Sequence, residues 1–237
     1  MIARLTICLF VSIATPLFGQ TSFNGITEPA SDAELSFPVS GVLAELPFRE
    51  GEFVREGEVV GRLGNRREEL EVSRRQLILD NAKMDLKRTQ QLYNKTGSIS
   101  EEELDEKRAT VKVAETELAI AREDVNRRLL VAPFDGLIAN LHGLDKGEGV
   151  ELLIPVVRLV DASTCVFVCN LPANAAKAVK PEAKVSIQIG EVNIAGFVSF
   201  ISPVIEPSSG LLKVKARFEN PERLIVPGAA GQLTFLE

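Results

Sequence analysis

Apolar residues recur every seven positions through much of residues 65–128. Leu104, Val111, Leu118 and Val125 form one row, with Ala114 and Ala121 at the alternate positions. Val72, Leu79, Leu86 and Tyr93 form another; Ala82 lies between two of them, and Arg75 and Thr89 hold other inward positions. A repeat of seven carried through both arms predicts two helices packed as an antiparallel coiled-coil hairpin. The punctuation agrees. Asn65 followed by Glu68, and Ser100 followed by Glu103, read as N-caps with a glutamate three residues on, and Gly97 breaks the two arms. Glu71 with Arg75 and Glu103 with Lys107 supply i,i+4 pairs on the outer faces. Arms of roughly 28 residues make a rod of about 40 Å.

The flanking segments have a different rhythm. Phe37 to Leu63 alternates apolar and polar positions around Gly41, Gly51, Gly57 and Gly61, which predicts short strands with glycine turns. Leu129 to Asp161 repeats the style. Laying Gly41 on Gly136 brings Val42 onto Leu137 and Ala44 onto Ala139, and Gly51 meets Gly147 with a one-residue shift. Gly41, Gly51, Pro133, Gly136 and Gly147 are assigned as structural turns. Two such halves, 21–64 and 129–161, would close on each other as one flattened β sandwich, split by the hairpin of 65–128. Beyond Asp161, strands are expected at Val166–Leu171, Lys184–Ile189, Val192–Ile201, Leu212–Phe218 and Gly231–Phe235, with one short helix at Ala173–Val179. That pattern predicts a small β-barrel over 162–237. The fold class is multidomain α+β.

The N-terminus changes the setting. Arg4 is the only charge before Glu28, and Leu5 to Phe18 is almost wholly apolar. About 14 apolar residues suit an export signal over 1–20 better than a bilayer span, which needs about 20. The alternative is an uncleaved inner-membrane anchor. Cleavage would remove Cys8 and leave Cys165 and Cys169. On one strand face those two stand about 13 Å apart, beyond disulfide reach, and read as small buried hydrophobes.

Composition narrows the function. The net charge is −6, there is no Trp and Tyr93 is the single tyrosine. Neither a basic face nor a stacking platform for nucleic acid is present. The only histidine, His142, has no nucleophile motif and no second metal ligand beside it. Glu101, Glu102 and Glu103 open a helix, where negative charge suits the dipole. No catalytic, metal or cofactor site is expected, and the chain does not read as an enzyme. Asp145-Lys146-Gly147 invites a carrier reading, with a cofactor attached to Lys146. By the internal alignment, however, it corresponds to Arg49-Glu50-Gly51, a different turn from the one that presents a swinging lysine. A purely structural coiled-coil scaffold would need neither the split base nor the barrel.

Taken in order, Pro38-Val39-Ser40-Gly41, the hairpin, Ala132-Pro133-Phe134-Asp135-Gly136 and Asn220-Pro221-Glu222-Arg223-Leu224-Ile225-Val226-Pro227-Gly228 carry a likeness across nearly the whole mature chain. The sequence resembles the periplasmic adaptors of tripartite efflux pumps, the membrane fusion proteins of haemolysin-secretion (HlyD) type. The resemblance implies biotinyl/lipoyl-like halves and self-association into a ring. It also implies a periplasmic, inner-membrane-associated part joining an inner-membrane transporter to an outer-membrane channel. The transporter would be a proton-driven RND protein or, alternatively, an ATP-driven exporter. Many such adaptors touch the channel through a hairpin-tip Arg, a Leu four later and a Ser seven beyond. Arg88 and Leu92 match, and Ser100 comes one residue late, where it also reads as a helix cap. The chain ends at Glu237, right after the expected barrel, with no evident membrane-proximal domain.

Overall fold

The computed structural model describes residues 22–176 and 179–236; the export-signal reading of residues 1–20 lies outside the described residues. The chain forms two compact units. One holds Pro29–Thr164 with Asn220–Leu224, and the other holds 22–28, Cys165–Glu219 and 225–236.

The first unit is a β base carrying a helical hairpin. Its strands are β1 (Ser22–Ser36) from Pro29 on, β2 (Gly41–Glu45), β3 (Phe53–Val54), β4 (Val59–Leu63), β5 (Leu129–Val131), β6 (Gly136–Asn140), β7 (Gly149–Val150) and the first part of β8 (Pro155–Pro172). Helices α1 (Arg66–Thr96) and α2 (Glu101–Asn126) leave between β4 and β5. The two halves exchange strands. β2 pairs with β7 through Gly41 and Val150, and β6 pairs with β3 through Gly136 and Val54. The repeat extends to single hydrogen bonds. Gly51 N–H donates to the Ile138 carbonyl at 2.8 Å, and Gly147 N–H donates to the Leu43 carbonyl at 2.8 Å. Gly51 and Gly147 turn at φ of 83° and 97°, backbone that glycine adopts without cost. Phe37, Leu43, Val60, Leu63, Ile138, Val156, Val157 and Leu159 fill the space between the halves.

Two of the assigned turns are corrected. Gly41 and Gly136 are the first residues of β2 and β6, and neither has a positive φ. Gly136 is there because backbone approaches it: a Cβ would lie 2.8 Å from the Val160 carbonyl oxygen. Pro133 sits in the bend that precedes β6. The repeat also reaches a position with no glycine to mark it. Gly57 N–H donates to Ala132 at 2.9 Å with φ 84°, and Leu153 N–H donates to Phe37 at 3.1 Å with φ 60°.

The Asn220–Leu224 stretch belongs to this unit. Asn220 is buried, and its Nδ2 donates to the Ala162 carbonyl at 2.8 Å. The Arg223 guanidinium lies 4.8 Å from the Phe53 ring centroid, a cation–π distance.

The second unit is a six-stranded barrel. Its order is β1, β12 (Ala230–Phe235), β9 (Lys184–Ile189), β10 (Val192–Ile201), β11 (Leu211–Glu219) and β8, which pairs back onto β1. A one-turn helix α3 (Ala173–Ala176) follows β8. The N-terminal strand begins here and not in the base: Ser22 to Ile26 pair antiparallel with Thr234 to Ala230. β8 also runs through Asp161 without a break, because no turn residue interrupts its alternation. Phe167, Leu171, Val185, Ile187, Val214, Phe218 and Leu233 form the core. Cys165 and Cys169 are buried among them and are not joined in a disulfide, and burial raises the Cys169 thiol to about 12.

Candidate functional site

The hairpin is the feature of the first unit that its core does not require, and it is long. The 31 residues of α1 extend about 46 Å at the usual helical rise. Contacts between the arms run in opposite directions along the two helices. Glu68 meets Arg128 at 2.8 Å, Gln76 meets Arg122 at 3.2 Å, Lys83 meets Glu115 at 3.2 Å and Gln90 meets Arg108 at 3.4 Å. Between these polar rungs Leu79, Val111, Ala114, Leu118 and Ala121 are buried, as is Leu104 beyond the last of them, while Val72, Ala82, Leu86 and Val125 are half-buried. Thr89 is buried in the seam, and Arg75 crosses it to Glu117. Tyr93, the last residue of the α1 row, is 37% exposed.

The helix starts differ from the sequence expectation at one end. Ser100 accepts a hydrogen bond from Glu103 N–H at 3.1 Å and caps α2. Asn65 makes no side-chain cap to α1, and its carbonyl accepts from Glu69 N–H at 3.0 Å. Glu68 is drawn instead to Arg128, at the foot of the other arm. The Glu71–Arg75 pair forms at 2.8 Å, whereas Glu103 and Lys107 do not pair. Arg74 and then Arg75 hydrogen-bond the Glu71 carboxylate and hold it down at about 2.

That depression fixes a pH dependence. Because the folded value lies below the ordinary 4.5, the contribution of Glu71 is complete above the unfolded value and is lost as pH falls toward 2. An NMR titration should place the Glu71 midpoint near 2. Arg74→Gln with Arg75→Gln should return it toward 4.5. A wild-type midpoint already near 4.5 would show that the two guanidinium contacts do not persist in solution.

The tip is a short loop. Gly97 ends α1 in the left-handed conformation at φ 62°, its N–H donating to the Tyr93 carbonyl at 3.2 Å. On the way to it, Arg88 is largely exposed and reaches Asp85 at 3.5 Å, and Leu92 is 48% exposed. Arg88, Leu92 and Ser100 thus all lie in the distal part of the hairpin. His142 stands in a base turn with Nε2 2.7 Å from Glu34, and Lys146 is exposed in the turn that mirrors Glu50. Among the described residues no group of His, Cys, Asp and Glu side chains is disposed to hold a metal ion. Among the described residues no helix is long and apolar enough to cross a membrane.

Comparison with known proteins finds the same geometry elsewhere. Residues 71–125 match the model of the RND MFP α-helical hairpin domain, MFP standing for membrane fusion protein. The multidrug resistance protein MdtA of Photorhabdus laumondii is 28% identical over 229 residues, covering 86% of this chain and 56% of the relative. The chain spans about half the length of the curated relatives it matches. Among solved structures, a MacA–MexA chimera carrying the Pseudomonas aeruginosa MexA α-hairpin superposes with a TM-score of 0.79 at 16% identity, over 91% of this chain and 78% of the other. A putative efflux transporter from Bacteroides eggerthii superposes at 0.71 with 19% identity, over 91% and 68% of the two chains. In hairpin, sequence and fold alike, the chain is similar to the membrane fusion proteins of efflux systems.

Proposed function

We propose that this chain works in the periplasm as the bridge between an inner-membrane RND-type efflux transporter and an outer-membrane channel. The export-signal reading of residues 1–20 would deliver it there. Several copies would stand in a ring, their hairpins directed at the channel and their base and barrel domains forming the conduit wall. The observation that carries this reading is the hairpin: a stiff arm of about 46 Å that matches the RND hairpin model over 71–125. The same match favours an RND partner over an ATP-driven exporter. The adaptor does no chemistry in this scheme; a proton gradient at the transporter supplies the energy.

At the tip, Arg88, Leu92 and Ser100 would meet the channel. Leu92 is the apolar member and the one expected to matter most. A photo-crosslinker at position 92 should capture the outer-membrane channel in cell envelopes, and Leu92→Glu should weaken complex recovery by roughly tenfold or more. Ser100 needs a control, since Ser100→Ala removes the α2 cap at about 1 kcal/mol whatever the partner. Ser100→Asp keeps a capping oxygen and separates the two roles. Capture of no channel at position 92, from envelopes that yield the transporter with this chain, would refute the tip assignment. A lipoyl or biotinyl mass on the purified chain, localised to Lys146, would favour a carrier instead.

A further inference from the structure

On the barrel, one extra residue turns an aromatic side chain outward. Along β10, Ile194 packs on the barrel core and Val198 is buried in it. Strict alternation would send residue 200 inward as well. Instead the register shifts between Val198 and Phe200: Val198 pairs with Ala216 and Phe200 with Lys215, which leaves Ser199 as the extra residue of a bulge. Ile201 takes the inward place opposite buried Val214, and Phe200 is left 46% exposed. Bulges re-aim side chains in this way beside functional sites.

Phe200 lines a cavity of about 470 Å³ on the outer face of β8, β10 and β11, a volume in the range of small-molecule sites. Val204 and Leu211 extend its apolar side, and Asn170, Lys213 and Glu206 supply polar groups. The connection from β10 to β11 is held by its own hydrogen bonds. Ser202 Oγ donates to the Val204 carbonyl at 2.8 Å, Gly210 N–H to the Glu206 carbonyl at 2.8 Å and Glu206 N–H to the Leu211 carbonyl at 2.9 Å. The wall is therefore in place without a ligand.

Charge indicates what fits. The Glu206 carboxylate accepts from Ser208 Oγ at 3.3 Å. Among the described residues, the Lys213 ammonium and the Asn170 amide have no side-chain hydrogen bond or ion pair. Lys213, Lys215 and Arg217 stand at alternate positions of β11 and share its outer face, with Lys215 drawn to Glu28 at 3.4 Å. An unpaired cation and an amide donor beside an apolar wall match an acid with an apolar body, because hydrogen bonds to an ionised group are the strong ones.

We propose that this cavity binds an amphipathic anion, its apolar body against Phe200, Val204 and Leu211 and its carboxylate or phosphate on Lys213 and Asn170. The inference stands on the barrel alone and does not require the adaptor reading.

The test is a titration of the isotopically labelled full chain with monomeric decanoate, followed by NMR. Shifts at Val204, Leu211 and Lys213 should saturate together. Lys213→Gln and Phe200→Ser should each weaken binding by roughly tenfold or more, and neutral decanol should bind weaker than decanoate by a similar factor. Lys146→Gln, in the base, should change nothing. Unmoved signals elsewhere in the barrel report that each variant is folded. Vesicles of phosphatidylcholine with phosphatidylglycerol identify the source of the anion. Binding of both vesicles and decanoate through Lys213 and Phe200 supports the site and allows a lipid as its ligand; binding of decanoate alone supports it with a free amphiphile. Three results would overturn the inference: no saturable shift at the cavity; decylamine binding as tightly as decanoate, which would give the site to Glu206; or vesicle binding without decanoate binding, which would make the face a bilayer contact and not a cavity site.

Discussion

Excising Arg66 to Arg127 should yield a protein whose β base folds and whose host cells lose export. The base is already arranged to close the gap. β4 and β5 are antiparallel neighbours, with Arg62 opposite Leu129, and Leu63 N–H donates to the Arg128 carbonyl at 2.9 Å. The excision joins Asn65 to Arg128 and leaves Gly64-Asn65 between paired strands, a two-residue loop of a composition that hairpin turns accept. None of the twelve residues of the base core lies in the excised segment. What is lost from the base side is small: the Arg127 contact to the Pro38 carbonyl at 3.3 Å and the Glu68–Arg128 pair. Hydrogen-exchange protection over β2, β4 and β8 should therefore persist, and the far-UV spectrum should lose chiefly its helical component. Export should fall to the level of a strain lacking the gene, because the proposed bridge depends on the reach of the hairpin. Wild-type tolerance of exported compounds in the excision strain would remove the hairpin from the mechanism. An unfolded base would show that β4 and β5 need the helices to find each other.

Much of this architecture was legible because it rests on periodicity. Seven-residue spacing identified both seams, and the register of the structure sets Leu79 near Leu118 and Leu86 near Val111 as those rows require. Glycine spacing exposed the two-fold repeat of the base as far as Gly51 and Gly147. It could not reveal Leu153, since a leucine at φ 60° leaves no compositional mark where its counterpart is Gly57. The same limit explains Gly41 and Gly136: a glycine kept for close backbone approach and one kept for a turn look identical in sequence. Asn65 reads as a cap, but its neighbour Glu68 has a stronger attraction to Arg128, more than fifty residues away in sequence. β1 starts in the barrel because of pairing with β12, a contact between opposite ends of the chain that no local pattern encodes.

The largest stability effect is expected at the barrel, where two glycines and a phenylalanine are cut to one another. Gly25 on β1 and Gly231 on β12 are direct partners across the ladder. The Phe167 ring lies against both: a Cβ on Gly25 would come 2.6 Å from it, and one on Gly231 3.2 Å. Phe167 is fully buried, so Phe167→Ala should cost about 3–5 kcal/mol, toward the upper end because two glycines offer no side chain to fill the cavity. Gly25→Ala should cost about 3 kcal/mol or more, as its Cβ would also fall 2.3 Å from the Val168 carbonyl oxygen, and backbone cannot yield as a side chain does. The double variant separates these causes. If the ring alone excluded a methyl group at position 25, Phe167→Ala would rescue Gly25→Ala. The carbonyl contact predicts no rescue, and the double variant should be at least as unstable as the worse single one. Cys165 and Cys169 supply a local readout, since a thiol reagent reaches them only when the barrel opens. Labelling rates should rise about a hundredfold or more for either single variant. A double variant that labels as slowly as the wild type would show that the ring, and not the strand behind it, is what keeps position 25 a glycine.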